Sequence, residues 1–261
     1  MRAAWLAGGA VATVVALVLS TGLLWSLFAD GTPPVDRRGR IIPFTRDEVR
    51  IQVGQGQVNL FVEPGEAGEM LVFRALRWSA DRPTITETWE EHSGTLRLEA
   101  VCHHSDQPDG PLCVADYTLF VPPETRVEAA TTSGALNVNR LFGGLRLTSL
   151  SGDIYVHDVA GAVWARNGTG DVTAEGLNGY QADVEVGSGN VRLRFRQPPM
   201  EVRAVVRTSG NVDVTVPDLP YDVAVAAANG TVDVNRDSRS ARKITAAAPR
   251  GLVTVSAGPR P

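Results

Sequence analysis

Three groups of residues in this 261-residue chain carry side chains of the kind that do chemistry. The first is the run Cys102-His103-His104-Ser105-Asp106-Gln107-Pro108-Asp109-Gly110-Pro111-Leu112-Cys113, which gathers both cysteines into one short polar segment. Thiolates, imidazoles and carboxylates are all zinc ligands, but zinc sites usually pair ligands with about two to four residues between them, and here ten intervene. Adjacent histidines on an extended chain also point to opposite faces. A disulfide between Cys102 and Cys113 is therefore expected, with a metal site or unpaired cysteines as the alternatives. Closing a loop of this length stabilises by about 3 kcal/mol in the chain-entropy picture.

The second group is a set of aspartates at shared positions. Asp153 and Asp171 each follow a turn glycine directly; Asp213 and Asp233 each lie three residues after one. Stacked repeats would bring each pair close, and paired carboxylates can hydrolyse glycosidic bonds. Aspartate equally favours turns and solvated strand faces, and the connections here are too short to wall a cleft. No nucleophile motif, phosphate loop or His-Glu metal motif occurs. The expectation is no enzyme, no catalytic residue, no metal and no cofactor. The third group is Tyr155 and Trp164, candidate surface contacts. Trp164 lies between Val163 and Ala165 and so alternates outward, where an indole on a polar sheet face can meet carbohydrate or protein.

These residues are carried by a repeat. Turn pairs end in Gly134, Gly152, Gly170, Gly189, Gly210, Gly230 and Gly251, with spacings of 18, 18, 19, 21, 20 and 21 residues. Two residues after each glycine stands Leu136, Ile154, Val172, Val191, Val212, Val232 or Val253; four after it, Val138, Val156, Ala174, Leu193, Val214, Val234 or Val255. Alternation of this kind marks a strand with one buried face. The strand before each glycine alternates too, except that Arg203 breaks its column, which predicts a bulge or register shift within residues 202–206. A lone hairpin of this size cannot bury its apolar face, whereas coils stacked about 4.8 Å apart make the columns a continuous core. The expected fold is all-β: a right-handed parallel β-solenoid (β-helix or β-roll) of 18–21 residues per coil over residues 127–257. An antiparallel sandwich is the rival. Residues 47–126, with Gly56 and Gly94, read as irregular N-terminal coils and a cap carrying the cysteine loop.

The formal charge of −4 excludes a basic field for nucleic acid. No charged residue occurs from Ala3 to Ala29, which is long enough to span a membrane as a helix. Trp5 and Trp25 sit about 30 Å apart along it, like two interfacial belts. Residues 1–29 are therefore expected to be an uncleaved signal anchor; a cleaved signal peptide is the alternative. Residues 30–46, with Pro33, Pro34 and Pro43, read as a stalk. Arg37, Arg38 and Arg40 argue for the opposite orientation, but large domains translocate largely regardless of charge, and the cysteines favour an oxidising compartment. The domain is expected outside a single-pass cell-membrane anchor.

The run Ser151-Gly152-Asp153-Ile154-Tyr155-Val156-His157-Asp158-Val159-Ala160-Gly161, followed by Gly168-Thr169-Gly170-Asp171-Val172-Thr173-Ala174, resembles the bacterial "putative adhesin" family, a β-strand-repeat domain with the phrase Ser-Gly-Asp-Val-x-Val and a Val-x-Gly corner. The resemblance implies repetitive β-structure in the cell envelope and offers no catalytic residues. The expected function is non-enzymatic adhesion, scaffolding or partner binding, with a cell-wall polymer or envelope protein as partner; the alternative is an envelope-stress accessory acting through a membrane partner.

Overall fold

The computed structural model describes residues 17, 18, 20, 21, 34–102 and 111–258. The chain forms two compact units, Met1–Pro34 and Val35–Pro261. In the first, Leu17, Val18, Ser20 and Thr21 are helical. Among the described residues no helix is long and apolar enough to cross a membrane. The expected span over residues 3–29 falls, those four positions apart, outside the described residues, as do His103 and His104 of the alternative metal site.

The second unit is built of strands: β1 (Val35–Pro43), β2 (Glu48–Val53), β3 (Gln57–Pro64), β4 (Glu69–Trp78), β5 (Thr84–Glu90), β6 (Thr95–Val101), β7 (Cys113–Val121), β8 (Arg126–Ser133), β9 (Leu136–Asn139), β10 (Leu145–Ser151), β11 (Ile154–His157), β12 (Val163–Thr169), β13 (Val172–Leu177), β14 (Gln181–Ser188), β15 (Val191–Phe195), β16 (Glu201–Ser209), β17 (Val212–Val216), β18 (Asp222–Asp233) and β19 (Lys243–Ala257). They pair into two runs. The first is β5-β6-β2-β8-β10-β12-β14-β16-β19. The second is β1-β4-β7-β3-β9-β11-β13-β15-β17-β19. Strand β18 closes both by pairing along β19. All pairings are parallel except β1–β4, β4–β7 and β5–β6. This is a two-sheet solenoid rather than an antiparallel sandwich.

The inward side chains stack as the alternation requires. Leu60, Leu136, Ile154, Val172, Val191, Val212 and Val253 are consecutive rungs of one column, and none is more than 1% exposed. Val62, Val138, Val156, Ala174, Leu193, Val214 and Val255 form the next. Both belong to one continuous core cluster.

The structure corrects the sequence reading at several places. Val253, not Val232, sits on Val212. Strand β19 is interposed between β16/β17 and β18, so the last two coils stack in reversed order, and Gly230 and Gly251 lie inside continuous strands rather than at breaks. Strand β18 is the solvent-facing terminal rung, and its Val225 and Val232 are only half-buried. At the other end β2/β3 is interposed between β6/β7 and β8/β9. Gly94 belongs to the β5–β6 hairpin, where its N–H donates to the Glu90 carbonyl at 2.9 Å, and not to a coil turn. Residues 35–43 of the expected stalk form edge strand β1, because the run ending Ile42-Pro43-Phe44 buries Ile42 and Phe44. The register shift near Arg203 falls later, between Val206 and Ser209. Val202, Ala204 and Val206 therefore point inward, and Arg203 points out.

The Cys102 and Cys113 sulfurs are bonded to each other, with Cα atoms 6.2 Å apart. The bond staples the point where β6 hands over to β7.

Candidate functional site

The turn that recurs from Gly134 to Gly210 fixes what the aspartates can do. Gly152 at +123° and Gly170 at +116° adopt φ values that side chains rarely tolerate, and the carbonyl of the coil below occupies the space of a Cβ, 2.4 Å away at Gly170. The residue after each glycine then reaches along the stack. Asp153 Oδ1 accepts the Asp171 N–H at 2.8 Å, and Asp171 Oδ1 accepts the Asn190 N–H at 2.8 Å. Asn190 Oδ1 accepts the Asn211 N–H at 3.1 Å, and Asn211 Oδ1 the Leu252 N–H at 2.9 Å. Asp153 and Asp171 are thus rungs of a hydrogen-bond ladder. The Tyr155 hydroxyl donates to Asp153 Oδ2 at 3.0 Å; that bond, partial burial and the charges of Asp153 and Asp171 push the phenol above its ordinary value. Asp213 and Asp233 do not form a pair, because β19 separates their strands. Asp213 faces Arg192 at 3.7 Å. Arg207 pairs with Glu185.

Trp164 lies on the outer side of the first run, and Tyr155 on the second, so the two candidate contacts belong to different faces. The indole is clasped by two guanidiniums: the carbon of Arg146 and that of Arg166 each lie 4.2 Å from its centroid. Arg146 is the register partner of Trp164 on the neighbouring rung. Arg166 bonds Asp183 at 2.8 Å and also donates to the Ala165 and Asp183 carbonyls, both at 2.9 Å. Asp183 receives Arg203 as well, at 2.9 Å, and Arg203 reaches on to Glu185 at 2.9 Å. Burial works to raise the Asp183 carboxyl, but hydrogen bonds and charge from Arg166 and Arg203 outweigh it and hold the group below the usual carboxylate range. Glu185 is lowered chiefly by its Arg207 hydrogen bond, against partial burial, with help from Arg203.

Beside this stack is a groove of about 310 Å³ on the outer face of the first run. Gly144, Ala162, Arg126, Arg146, Trp164 and Gln181 line it, together with Glu48, Glu128 and Asp183. Arg50 bonds both Glu48 and Glu128. A second depression of similar volume lies at the ends of β11, β13 and β15, where its charged residues form the ion pairs Arg196–Asp158 and Arg194–Glu175.

Arg126, Gly144, Arg146 and Arg166 were not singled out from the sequence. A signal for one existed: Arg146 lies 18 residues before Trp164, one coil period, with the same outward parity. A buried network also went unread. The Tyr117 hydroxyl donates to Glu87 at 2.9 Å, and Arg74 pairs with the same carboxylate. It joins β4 and β7 of the second run to β5 of the first at the capped end; burial and the Glu87 charge push the Tyr117 phenol far up.

Fold and face together define an all-β solenoid that displays side-chain ladders and an open groove beside Trp164. Residues 116–257 match the Toastrack DUF4097 family, and the chain belongs to it. Three solved structures are similar. A "putative cell adhesion protein" from Clostridium sporogenes ATCC 15579 is 9% identical, with a TM-score of 0.42, covering 86% of this chain and 100% of its own. A "putative adhesin" from Parabacteroides distasonis ATCC 8503 is 12% identical, with a TM-score of 0.32, covering 85% and 97%. Another from Parabacteroides merdae ATCC 43184 is 11% identical, with a TM-score of 0.29, covering 88% and 98%. No curated protein matches the chain.

Proposed function

We propose that this chain is a non-enzymatic binding module of the cell envelope, anchored by residues 3–29 as a single membrane span, with its solenoid on the extracytoplasmic side serving adhesion or scaffolding. The observation that carries this reading is the Arg146–Trp164–Arg166 stack beside an open groove on a rigid sheet. Aromatic and arginine side chains are the anchors that binding surfaces use most. The carboxylates that could have suggested hydrolysis are engaged in the turn ladder or separated by β19. The Cys102–Cys113 bond supports an oxidising compartment.

Two measurements test the reading. Protease added to intact protoplasts is expected to digest the domain; protection would place it on the cytoplasmic side and end the envelope assignment. Full-length protein is expected to sediment with isolated envelope material lacking its own copy, and Trp164→Ala to weaken that at least tenfold. Equal binding by the variant would move the contact away from this face.

A further inference from the structure

We infer that the groove beside Trp164 is a receptor for a sugar acid, a polyhydroxylated ring bearing a carboxylate or phosphate. This rests on the binding-module reading and names its ligand class. The first argument is a glycine that the fold does not require. At Gly143, an added Cβ would lie 2.1 Å from the Thr125 carbonyl oxygen, so the backbone demands glycine there. At Gly144 the nearest atom to an added Cβ is the Ala162 carbonyl oxygen at 3.8 Å, followed by Arg126 Cγ at 4.0 Å. A side chain fits at Gly144 without strain, and its effect would be to fill the groove. With Ala162 on the next rung, Gly144 makes a shelf of small residues in the groove.

The second argument is charge. Among the described residues neither Arg126 nor Arg146 forms an ion pair, whereas Glu48 and Glu128 share Arg50 and Asp183 pairs with Arg166 and Arg203. The groove therefore presents two guanidiniums without an ion-pair partner in a protein whose net charge is −4. The Arg146 guanidinium carbon is held 4.2 Å from the indole centroid, and among the described residues its N–H groups make no ion pair. That is a preorganised fork for the two oxygens of a carboxylate or phosphate.

The third argument selects the sugar. Glu48, Glu128 and the Gln181 amide oxygen stand around the same shelf as hydrogen-bond acceptors. An acidic peptide would bring further carboxylates against Glu48 and Glu128 and few donors to satisfy them. A sugar ring brings hydroxyl donors for those acceptors and one oxyanion for the arginines, and the volume suits one ring or two.

Isothermal titration of the full-length chain tests this with digalacturonate, glucose 6-phosphate, maltose, inorganic phosphate and a tetraglutamate peptide. Saturable binding of digalacturonate or glucose 6-phosphate, with none of maltose, is expected, and which of the two binds identifies the oxyanion. Gly144→Gln and Arg146→Gln should each weaken that binding at least tenfold, while Arg239→Gln, on a distant exposed loop, leaves it unchanged. Gly144→Gln should keep the wild-type melting temperature, which separates a filled groove from a damaged fold. Equal binding of inorganic phosphate or tetraglutamate, no binding of either sugar acid, or insensitivity to Gly144→Gln would overturn the inference. Envelope sedimentation lost with Trp164→Ala but without sugar-acid binding would overturn only the ligand class and leave the binding module standing.

Discussion

At the scale of single residues, the solenoid separates glycines that the backbone needs from others, Gly144 among them, that it does not. Gly170 combines a φ of +116° with a carbonyl 2.4 Å from the place of a Cβ. Gly170→Ala is expected to destabilise by about 3 kcal/mol, a fall of roughly 6–12 °C in melting temperature for a domain of this size. Gly144→Ala should stay within about 0.5 kcal/mol of wild type. Thermal unfolding of the two variants side by side checks both, and similar losses would mean that the two positions are not distinguished as described. The arginine-carboxylate cluster has its own signature in pH. Asp183 and Glu185 titrate lower in the folded chain than in the unfolded one. Their stabilisation is therefore complete above the unfolded values, near about pH 4, and is lost as pH falls through the lower folded values. Melting temperature followed from pH 6 downward should drop steeply below about pH 4 in wild type. It should drop less in Asp183→Asn, which starts lower because Arg166 and Arg203 lose a charged partner.

At the scale of elements, the regular coils were legible because each strand's inward positions repeat at one offset from the turn glycine, and vertical stacking has no other use for such columns. The limits of that reading are equally physical. A period tells which coils resemble one another, not which neighbours which. β18 and β19 carry nearly the same alternation, and their order is decided by depth of burial: Ile244, Ala246, Val253 and Val255 are fully enclosed, while Val225 and Val232 are not. The antiparallel cap was invisible because β1, β4 and β5 have no glycine-centred turn of the repeat type. Trp164 was legible as an outward residue, but its groove was not, since a shelf made by Gly144 and Ala162 is a matter of what neighbouring rungs lack. The disulfide followed from two cysteines sharing one loop, and it makes an element-level prediction. Replacing Cys102 and Cys113 by serine should cost about 3 kcal/mol, and wild type in reductant should melt with the variant. Unchanged melting would show that β6 and β7 are held at their junction by other contacts, with the Tyr117–Glu87–Arg74 network the nearest such tie.

At the scale of the whole molecule, both ends of the stack are closed by interposition: a coil that is outermost in chain order is not outermost in space. Stability in stacked repeats is the sum of each coil's own preference and its contacts with its neighbours, so a rung held by one neighbour alone depends entirely on it. Among the described residues strand β18 pairs only with β19, and β19 alone joins it to β16 and β17. Removing residues 243–261 should therefore release two coils rather than one. In the shortened chain the amides of residues 222–233 are expected to exchange at the rate of an unfolded segment, whereas those of β14 and β15, two rungs further in, keep their protection. The shortened chain should also show about the same unfolding cooperativity as one ending at residue 216. Stacking in simple chain order predicts the reverse, because β18 would then rest directly on β16 and β17, and residues 222–233 would stay protected after the last strand was gone. Hydrogen exchange on the two truncations distinguishes these outcomes, and persistent protection of β18 without β19 would refute the interposed order.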